Sequence, residues 1–197
     1  MIFGAEQTIV LSDHLRPNLA ILLGAGIAIA GVSFVWLPLP AAAGSILLGL
    51  LMIAGAEVDA RTYLLPDTIT WGAIVSGILA APALDSFNSW WVSAGAGLVR
   101  AAGTAAALFM LRWCYTRLRA REGLGLGDVK LAAAVGAWLP AACIPFCFAL
   151  AACSALVAAG IARLSGESID ATAKLPFGAF LCPALWFVFY ANEIQTL

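Results

Sequence analysis

The chain has few charged residues, a single histidine and no CxxC cysteine pair. Charged residues make up 11% of the 197 positions and hydrophobic residues 63%, and the mean hydropathy is +0.99. A soluble domain is about one quarter charged, so this chain has too few polar groups to cover a surface that faces water. We therefore expect an all-α, polytopic membrane protein.

The scarcity of histidine and of paired cysteines excludes several kinds of site. His14 is the single histidine, so an HExxH zinc protease cannot form, and a Ser–His or Cys–His pair would need a residue that precedes the first apolar segment. Cys143 and Cys147 share a helical face but are too few for a zinc site, which needs about four ligands. The net charge is −1. We expect no metal, no cofactor and no nucleic acid partner.

Seven apolar segments are candidates for membrane-spanning helices, which need about 20 residues each. They lie at 19–38, 42–58, 68–84, 90–111, 124–140, 141–163 and 176–192. The first is expected to stay as an uncleaved anchor, because its apolar stretch is longer than a usual signal-peptide core. The segment at 124–140 is short and charged at its start, so six spans result if it only dips into the bilayer. Residues 1–197 are expected to form one membrane domain.

The basic residues predict which face of the bundle is cytoplasmic. With seven spans and a cytoplasmic N-terminus, one face collects every lysine and arginine except Arg100. The opposite face keeps only Asp85, Glu193 and uncharged turns. Lysine and arginine accumulate in cytoplasmic loops, and the basic run at 112–121 fits contact with anionic lipid headgroups. We expect a multi-pass protein of a prokaryotic cytoplasmic membrane.

Carboxylates are the remaining groups that could carry chemistry. Asp59 ends the second predicted span and Asp128 begins the fifth, so both are expected at similar depth on the cytoplasmic side. Ionisable residues at the edge of a span usually face the protein interior or a water-filled cavity. Two adjacent aspartates can share a proton, so that one activates a water and the other donates to a scissile carbonyl. Gly123, Gly125 and Gly127 would allow close approach and unusual dihedral angles beside Asp128.

Each of these polar residues also has a structural interpretation. Asp67 follows a proline and fits the N-cap or first turn of the third span. Asp128 fits a helix cap that is ion-paired with a basic neighbour, and Lys130 fits a side chain that extends to the headgroups. Arg100 fits a partner for a buried carboxylate or a side chain that lines an internal polar gap. From the residues alone, a catalytic Asp59–Asp128 pair and these structural roles both stay open.

Three segments resemble the type IV prepilin peptidases, which are membrane aspartic proteases of the GxGD type. They are "DARTYLLPDTIT" at 59–70, "REGLGLGDVKLAAAVGAWL" at 121–139 and "PFGAFLCPALWF" at 176–187. They occur in the family's order and cover about residues 41–192, which leaves 1–40 as an N-terminal segment and first span.

The resemblance implies roles for six residues. Asp59 and Asp128 would be the catalytic pair, whereas Asp67 matches an aspartate outside that pair. Gly125, Gly127 and Lys130, together with Asp67, would bind substrate or support the site. The implied reaction is removal of the basic leader from type IV prepilins or pseudopilins, after glycine, at the cytoplasmic boundary of the membrane.

The resemblance also implies a limit and leaves alternatives. Long family members carry a cytoplasmic insertion with paired CxxC motifs and are associated with N-methylation, whereas residues 1–18 contain no cysteine. A short form without methyl transfer or S-adenosylmethionine is therefore expected. Two other functions stay open. One is a presenilin-like or signal-peptide-peptidase-like intramembrane protease, and the other is a proton-coupled transporter that uses Asp59, Arg100 and Asp128 as a relay.

Overall fold

The computed structural model describes residues 17–85, 89–119, 125–165 and 176–196, and these residues form a bundle of helices without strands. The helices are α1 (Leu19–Trp36), α2 (Leu39–Thr62), α3 (Asp67–Leu84), α4 (Trp90–Arg119), α5 (Leu126–Trp138), α6 (Ile144–Leu164) and α7 (Phe177–Gln195). The expectation of an all-α polytopic bundle is confirmed. Predictions that concern His14, Gly123 and the N-terminus fall outside the described residues.

The described helices include six that are long and apolar enough to cross a membrane. The exception is α5, which has 13 residues and rises about 20 Å at about 1.5 Å per residue. This length falls short of the hydrocarbon core, which is about 30 Å thick. The six-span alternative therefore holds, and the segment predicted as a span at 124–140 is a shorter helix. In contrast, α2 and α4 run beyond their predicted ends.

The short helix α5 is buried at the centre of the bundle. It packs against α3, α4 and α7, and most of its residues from Leu131 to Trp138 are inaccessible to solvent. Irregular backbone at membrane depth is tolerated where protein surrounds it. Because its neighbours are helices and not lipid, α5 can end at Trp138 without matching the thickness of the bilayer.

Trp138 fixes the far end of α5 to its neighbours. Its indole N–H donates to the carbonyl oxygen of Ala73 in α3 (2.8 Å), and its ring meets Phe189 of α7 edge-on, with 5.2 Å between ring centroids. A Cβ atom added to Gly77 would lie 2.7 Å from the indole ring. The absence of a side chain on α3 at this position therefore provides the space that the indole occupies.

Contacts between helix termini define one end of the bundle, which we call the Asp59 end. The N–H of Asn18, just before α1, donates to Glu57 near the end of α2 (3.0 Å). Lys130 in α5 pairs with Asp67 at the start of α3 (2.5 Å). Arg100 in the first half of α4 donates to the carbonyl oxygen of Gly136 near the end of α5, and Cys143, just before α6, donates to Asn192 near the end of α7. Ala179 in the first turn of α7 donates to Asp59 at the end of α2. The ends of α4 and α6 and the start of α7 therefore lie at the Asp59 end as well.

Described basic residues concentrate towards the Asp59 end, as the sequence predicted. They are Arg61 in the last turn of α2, Arg112 and Arg117 in the last third of α4, Lys130 in the first turns of α5, and Arg163 in the last turn of α6. Arg100 lies in the first half of α4, nearer the opposite end. The charge asymmetry along the bundle is therefore a property of the fold.

α4 and α5 pack in close contact at Gly136. A Cβ atom added to Gly136 would lie 2.4 Å from both the carbonyl oxygen of Arg100 and Oγ1 of Thr104. Side-chain Nε of Arg100 also donates to the carbonyl oxygen of Gly136 (3.3 Å). Since a backbone carbonyl cannot move as a flexible side chain can, this contact requires glycine.

We predict that Gly136→Ala destabilises the bundle and that Gly103→Ala does not. Overpacking at Gly136 should lower the free energy of unfolding by about 1–3 kcal/mol. An added Cβ on Gly103, in the same α4–α5 pair, meets nothing within 4 Å and should raise helix stability by up to about 1 kcal/mol. Unfolding of the purified variants in detergent measures both effects, and equal behaviour of the two variants would contradict the packing argument.

Candidate active site

Asp59 is buried at the end of α2 and is held by the start of α7. Its Oδ2 accepts a hydrogen bond from the backbone N–H of Ala179, with 2.8 Å between nitrogen and oxygen. Ala179 lies in the first turn of α7, where free N–H groups and the helix dipole favour a negative charge. The start of α7 therefore fixes the orientation of the Asp59 carboxylate.

Gly178 makes this contact possible, and the sequence analysis did not identify it as a site residue. A Cβ atom at position 178 would lie 2.8 Å from Oδ2 of Asp59 and 3.0 Å from its Cγ. Any side chain there would have to displace the carboxylate. The available signal in the sequence was a glycine in the first turn of a helix, the position where helices bind anions.

Asp128 lies in the first turn of α5 and caps that helix. Its Oδ2 accepts the N–H of Gly125, the N-cap residue, at 3.1 Å. In a capping box, the side chain of the third helical residue accepts the backbone N–H of the N-cap residue, and Asp128 makes this bond. The structural interpretation of Asp128 as a cap is therefore confirmed. Gly125 has φ −72° and ψ 154°, an extended conformation open to any residue, so the expected unusual dihedral angles are absent at Gly125.

Gly127 allows α5 to approach the turn between α2 and α3. A Cβ atom at position 127 would lie 3.2 Å from Cβ of Leu65, which belongs to that turn. The turn is tight, because Tyr63 ends α2 in the left-handed region with φ 55°. The close contact between Leu65 and Gly127 brings the start of α5, and with it Asp128, towards the end of α2.

Asp59 lies close enough to Asp128 for its charge to raise the pKa of Asp128. The charges of both aspartates also act on the buried thiol of Cys182, which lies one turn after Gly178 in α7. Asp128 lies in α5, which among the described helices is the one too short to span the membrane. Burial raises the pKa of Asp128 above its usual range, and the charge of Asp59 raises it further. The hydrogen bond from the N–H of Gly125 and the charge of Arg112 lower this pKa, but they do not offset the rise. The site therefore places an aspartate that accepts a backbone N–H from α7 near a second aspartate whose pKa is raised, an arrangement in which two carboxyl groups can share a proton.

Lys130 and Asp67 form an ion pair beside this site. The distance from Nζ to Oδ1 is 2.5 Å. Asp67 lies in the first turn of α3, as predicted, but makes no capping hydrogen bond, and Pro66 is the N-cap residue. We interpreted Lys130 from the sequence as a side chain that extends to the lipid headgroups. In the structure its Nζ instead contacts Asp67 of a neighbouring helix. The pair connects the start of α5, two residues after Asp128, to the start of α3.

Arg100 lies away from the two aspartates. The Gly136 carbonyl that it contacts is eight residues beyond Asp128, about 12 Å along the axis of α5. Arg100 instead lines a cavity of about 210 Å³ near the opposite end of the bundle, together with Asp85 and Glu193. The structure does not bring Asp59, Arg100 and Asp128 together as a relay.

The segment that contains both aspartates matches a known family. The profile of the type IV leader peptidase family matches residues 46–160, which is more than half of the chain. This chain belongs to the type IV leader peptidase family. The matched stretch includes the Asp67–Lys130 ion pair, whereas Gly178 and Ala179 lie beyond it.

Curated relatives of this family member carry the name prepilin leader peptidase/N-methyltransferase. The protein of Pectobacterium carotovorum subsp. carotovorum is 33% identical over 156 residues, which cover 79% of this chain and 53% of the relative. That of Dickeya chrysanthemi is 35% identical over 142 residues, with 72% and 48% covered. That of Xanthomonas campestris pv. campestris is 32% identical over 149 residues, with 75% and 49% covered. The chain thus spans about half the length of these relatives. No solved structure matches it.

We predict that the Asp67–Lys130 ion pair holds the start of α5 in place. Asp67→Lys or Lys130→Asp alone places like charges together and should speed amide hydrogen exchange at residues 130–134, the first amides of α5 that are hydrogen-bonded within the helix. The Asp67 side chain is 68% exposed, so the effect on global stability should stay within about 1 kcal/mol. The double variant reverses the pair and serves as the matched control, because it should restore slow exchange. Exchange in the double variant as fast as in the single variants would rule out the ion pair as the cause.

Proposed function

We propose that this leader peptidase family member is a membrane aspartic endopeptidase that removes the basic leader from type IV prepilins or pseudopilins, cutting after glycine. The observation that carries the proposal is that Asp59 and Asp128, from distant parts of the chain, lie at one end of the bundle, close enough for the charge of Asp59 to raise the pKa of Asp128. Membership of the family and the name prepilin leader peptidase of its relatives support leader cleavage as the activity.

The surroundings of the two carboxyl groups support different roles. Asp59, hydrogen-bonded by the start of α7, is the general base that takes a proton from the attacking water. Asp128, whose pKa is raised by burial, is the general acid that protonates the scissile carbonyl oxygen. As the tetrahedral intermediate collapses, Asp59 gives its proton to the leaving amine and Asp128 regains one from the hydroxyl group. No side chain forms a covalent bond to the substrate, and no cofactor takes part.

The distribution of charge supports an orientation in the membrane. Because basic residues concentrate towards the Asp59 end, that end faces the cytoplasm in our proposal, and the membrane is the prokaryotic cytoplasmic membrane. The aspartates then act on a leader that stays on the cytoplasmic side. The lack of methyl transfer by this chain stays a prediction, which methylation of a cleaved pilin by the purified protein would contradict.

The first test replaces each aspartate by its neutral isostere. Asp59→Asn and Asp128→Asn should each lower the rate of leader removal at least about a hundredfold, because general acid–base catalysis contributes on that order. Co-expression with a prepilin and detection of the size shift measures cleavage. Asp85→Asn, which removes a carboxylate at the opposite end, is the matched control and should cleave normally. Normal cleavage by either active-site variant, in membranes that contain the protein, would refute the assignment.

A second test concerns the position of the Asp59 carboxylate. Gly178→Ala should displace the carboxylate from the N–H of Ala179, since the new Cβ would lie 2.8 Å from Oδ2. A displacement of about 1 Å can lower a rate on the order of a hundredfold, so we expect a loss between about tenfold and a hundredfold. Gly160→Ala in α6, where an added Cβ meets nothing within 4 Å, is the control. Wild-type rates in Gly178→Ala would show that this contact does not position the base.

A further inference from the structure

A polar cavity, which we call the Arg100 cavity, lies between helix ends at the end of the bundle opposite to Asp59. Its volume is about 210 Å³, and its lining includes Asp85, Ser93, Arg100 and Glu193. The lining residues come from the end of α3, the first half of α4 and the ends of α5 and α7. At about 30 Å³ for each water molecule, the volume corresponds to about seven waters. The cavity is therefore large enough for a compact polar ligand.

The Arg100 cavity lies at the boundary of the hydrocarbon core. The 18 residues of α3 rise about 27 Å, close to the core thickness of about 30 Å. Asp85 directly follows α3 and accepts a hydrogen bond from Oγ of Ser93 (2.8 Å), so this part of α4 lies at the same level. Trp90 and Trp91, one turn earlier, are exposed, and tryptophan collects at membrane interfaces. Lipid headgroups of the leaflet at this end therefore lie beside the cavity.

Arg100 supplies donors that fit a phosphate group. Its Nε donates to the carbonyl oxygen of Gly136 (3.3 Å), and no group among the described residues accepts from its two terminal amino groups. Terminal Nη2 lies 3.9 Å from the position of a Cβ atom on Gly97, one turn nearer the start of α4, so the guanidinium points towards the headgroups. Guanidinium donors match the oxygens of a phosphate. Arg100 can therefore bind a phosphate that enters the cavity.

Glu193 and the surrounding helix ends favour a positive charge. Oε1 of Glu193 accepts a hydrogen bond from Nδ2 of Asn192 (3.5 Å), and within the described part of the chain no group donates to Oε2. The last residues of α3 and α5, Leu84 and Trp138, line the cavity, and α7 ends two residues after Glu193. The C-terminus of a helix carries partial negative charge. The cavity can therefore hold an ammonium group beside Glu193.

A simple ion would satisfy only part of the Arg100 cavity. An inorganic phosphate would bind Arg100 but would meet Glu193 and the ends of three helices, which disfavour anions. A lone cation would bind Glu193 but would leave the terminal amino groups of Arg100 without an acceptor, which is costly at the edge of the membrane. A phosphate ester that carries a primary ammonium satisfies both side chains at once.

We propose that the Arg100 cavity binds the headgroup of a phosphatidylethanolamine-type lipid, with the phosphate on Arg100 and the ammonium on Glu193. The position favours a lipid over a soluble phosphoamine, because Ala96 lines the cavity and is exposed on α4 within one turn of Ser93. The acyl chains then extend along α4 past Val99, which is also exposed. This binding does not depend on the proposed function, since the cavity lies at the end opposite to Asp59.

The first experiment compares two lipids that share the phosphate and the net charge. Native mass spectrometry of the purified chain, titrated with phosphatidylethanolamine or phosphatidylcholine, gives the Kd for each. Phosphatidylcholine has no N–H on its nitrogen, so it should bind about tenfold more weakly, because it cannot donate a charge-assisted hydrogen bond to Glu193. Equal affinity of the wild-type protein for the two lipids would overturn the proposal.

Variants assign the two halves of the headgroup. Glu193→Gln keeps the acceptor for Asn192 but removes the negative charge, so it should weaken phosphatidylethanolamine about tenfold and abolish the preference. Arg100→Gln, which can still donate to the carbonyl oxygen of Gly136, should weaken both lipids. Glu57→Gln removes a carboxylate at the Asp59 end and is the matched control, with wild-type affinities expected. A preference that persists in Glu193→Gln would rule out this site.

A photoreactive lipid tests the location and the source of the headgroup. Phosphatidylethanolamine with a diazirine near its glycerol should label residues 93–100 of the wild-type protein in nanodiscs, and this labelling should fall about tenfold in Glu193→Gln. Photoreactive phosphatidylglycerol, which has no ammonium, should label both proteins equally. Unchanged phosphatidylethanolamine labelling in Glu193→Gln would overturn the proposal. Loss of labelling on addition of micromolar soluble phosphoethanolamine would assign the cavity to a free phosphoamine and overturn the lipid source.

Discussion

The hydrogen bond between the Asp59 carboxylate and the Ala179 N–H is the interaction on which the site depends. It joins residues 120 positions apart and satisfies a carboxylate that would be costly to bury without partners. Because the donor is the first turn of α7, that helix must begin where α2 ends, and Gly178 must lack a side chain.

The second half of the site depends on a helix that is held by protein contacts at both ends. At its start, α5 is fixed by the contact of Gly127 with Leu65 and by the Lys130–Asp67 ion pair. At its end, the indole of Trp138 binds the backbone of α3. The position of Asp128 therefore depends on the turn between α2 and α3 as much as on α5 itself.

Composition and the position of charges predicted much of this architecture, because apolar length and loop charge are local properties of a sequence. They predicted seven spans, of which the structure has six, and put Asp59 and Asp128 at one end. They could not predict the length of α5, since a helix buried by protein and a helix surrounded by lipid are both apolar. Asp67 shows a second limit. Local rules predicted a cap, but Lys130, 63 positions away, competes for the same carboxylate across helices. The role of Gly178 likewise depends on a contact that no local pattern contains.

The two carboxylates are anchored unequally, and this difference has consequences for the site. Asp59 is bound by a neighbouring membrane-spanning helix, so its position is set by the packing of α2 against α7. Asp128 is bound by the N–H of Gly125 within its own helix start, so its position follows that of α5. The exposed Lys130–Asp67 ion pair at that start contributes within about 1 kcal/mol. The separation of the two carboxyl groups therefore depends on two different sets of contacts, since the packing of α5 through Leu65 and Trp138 positions Asp128 and the start of α7 positions Asp59.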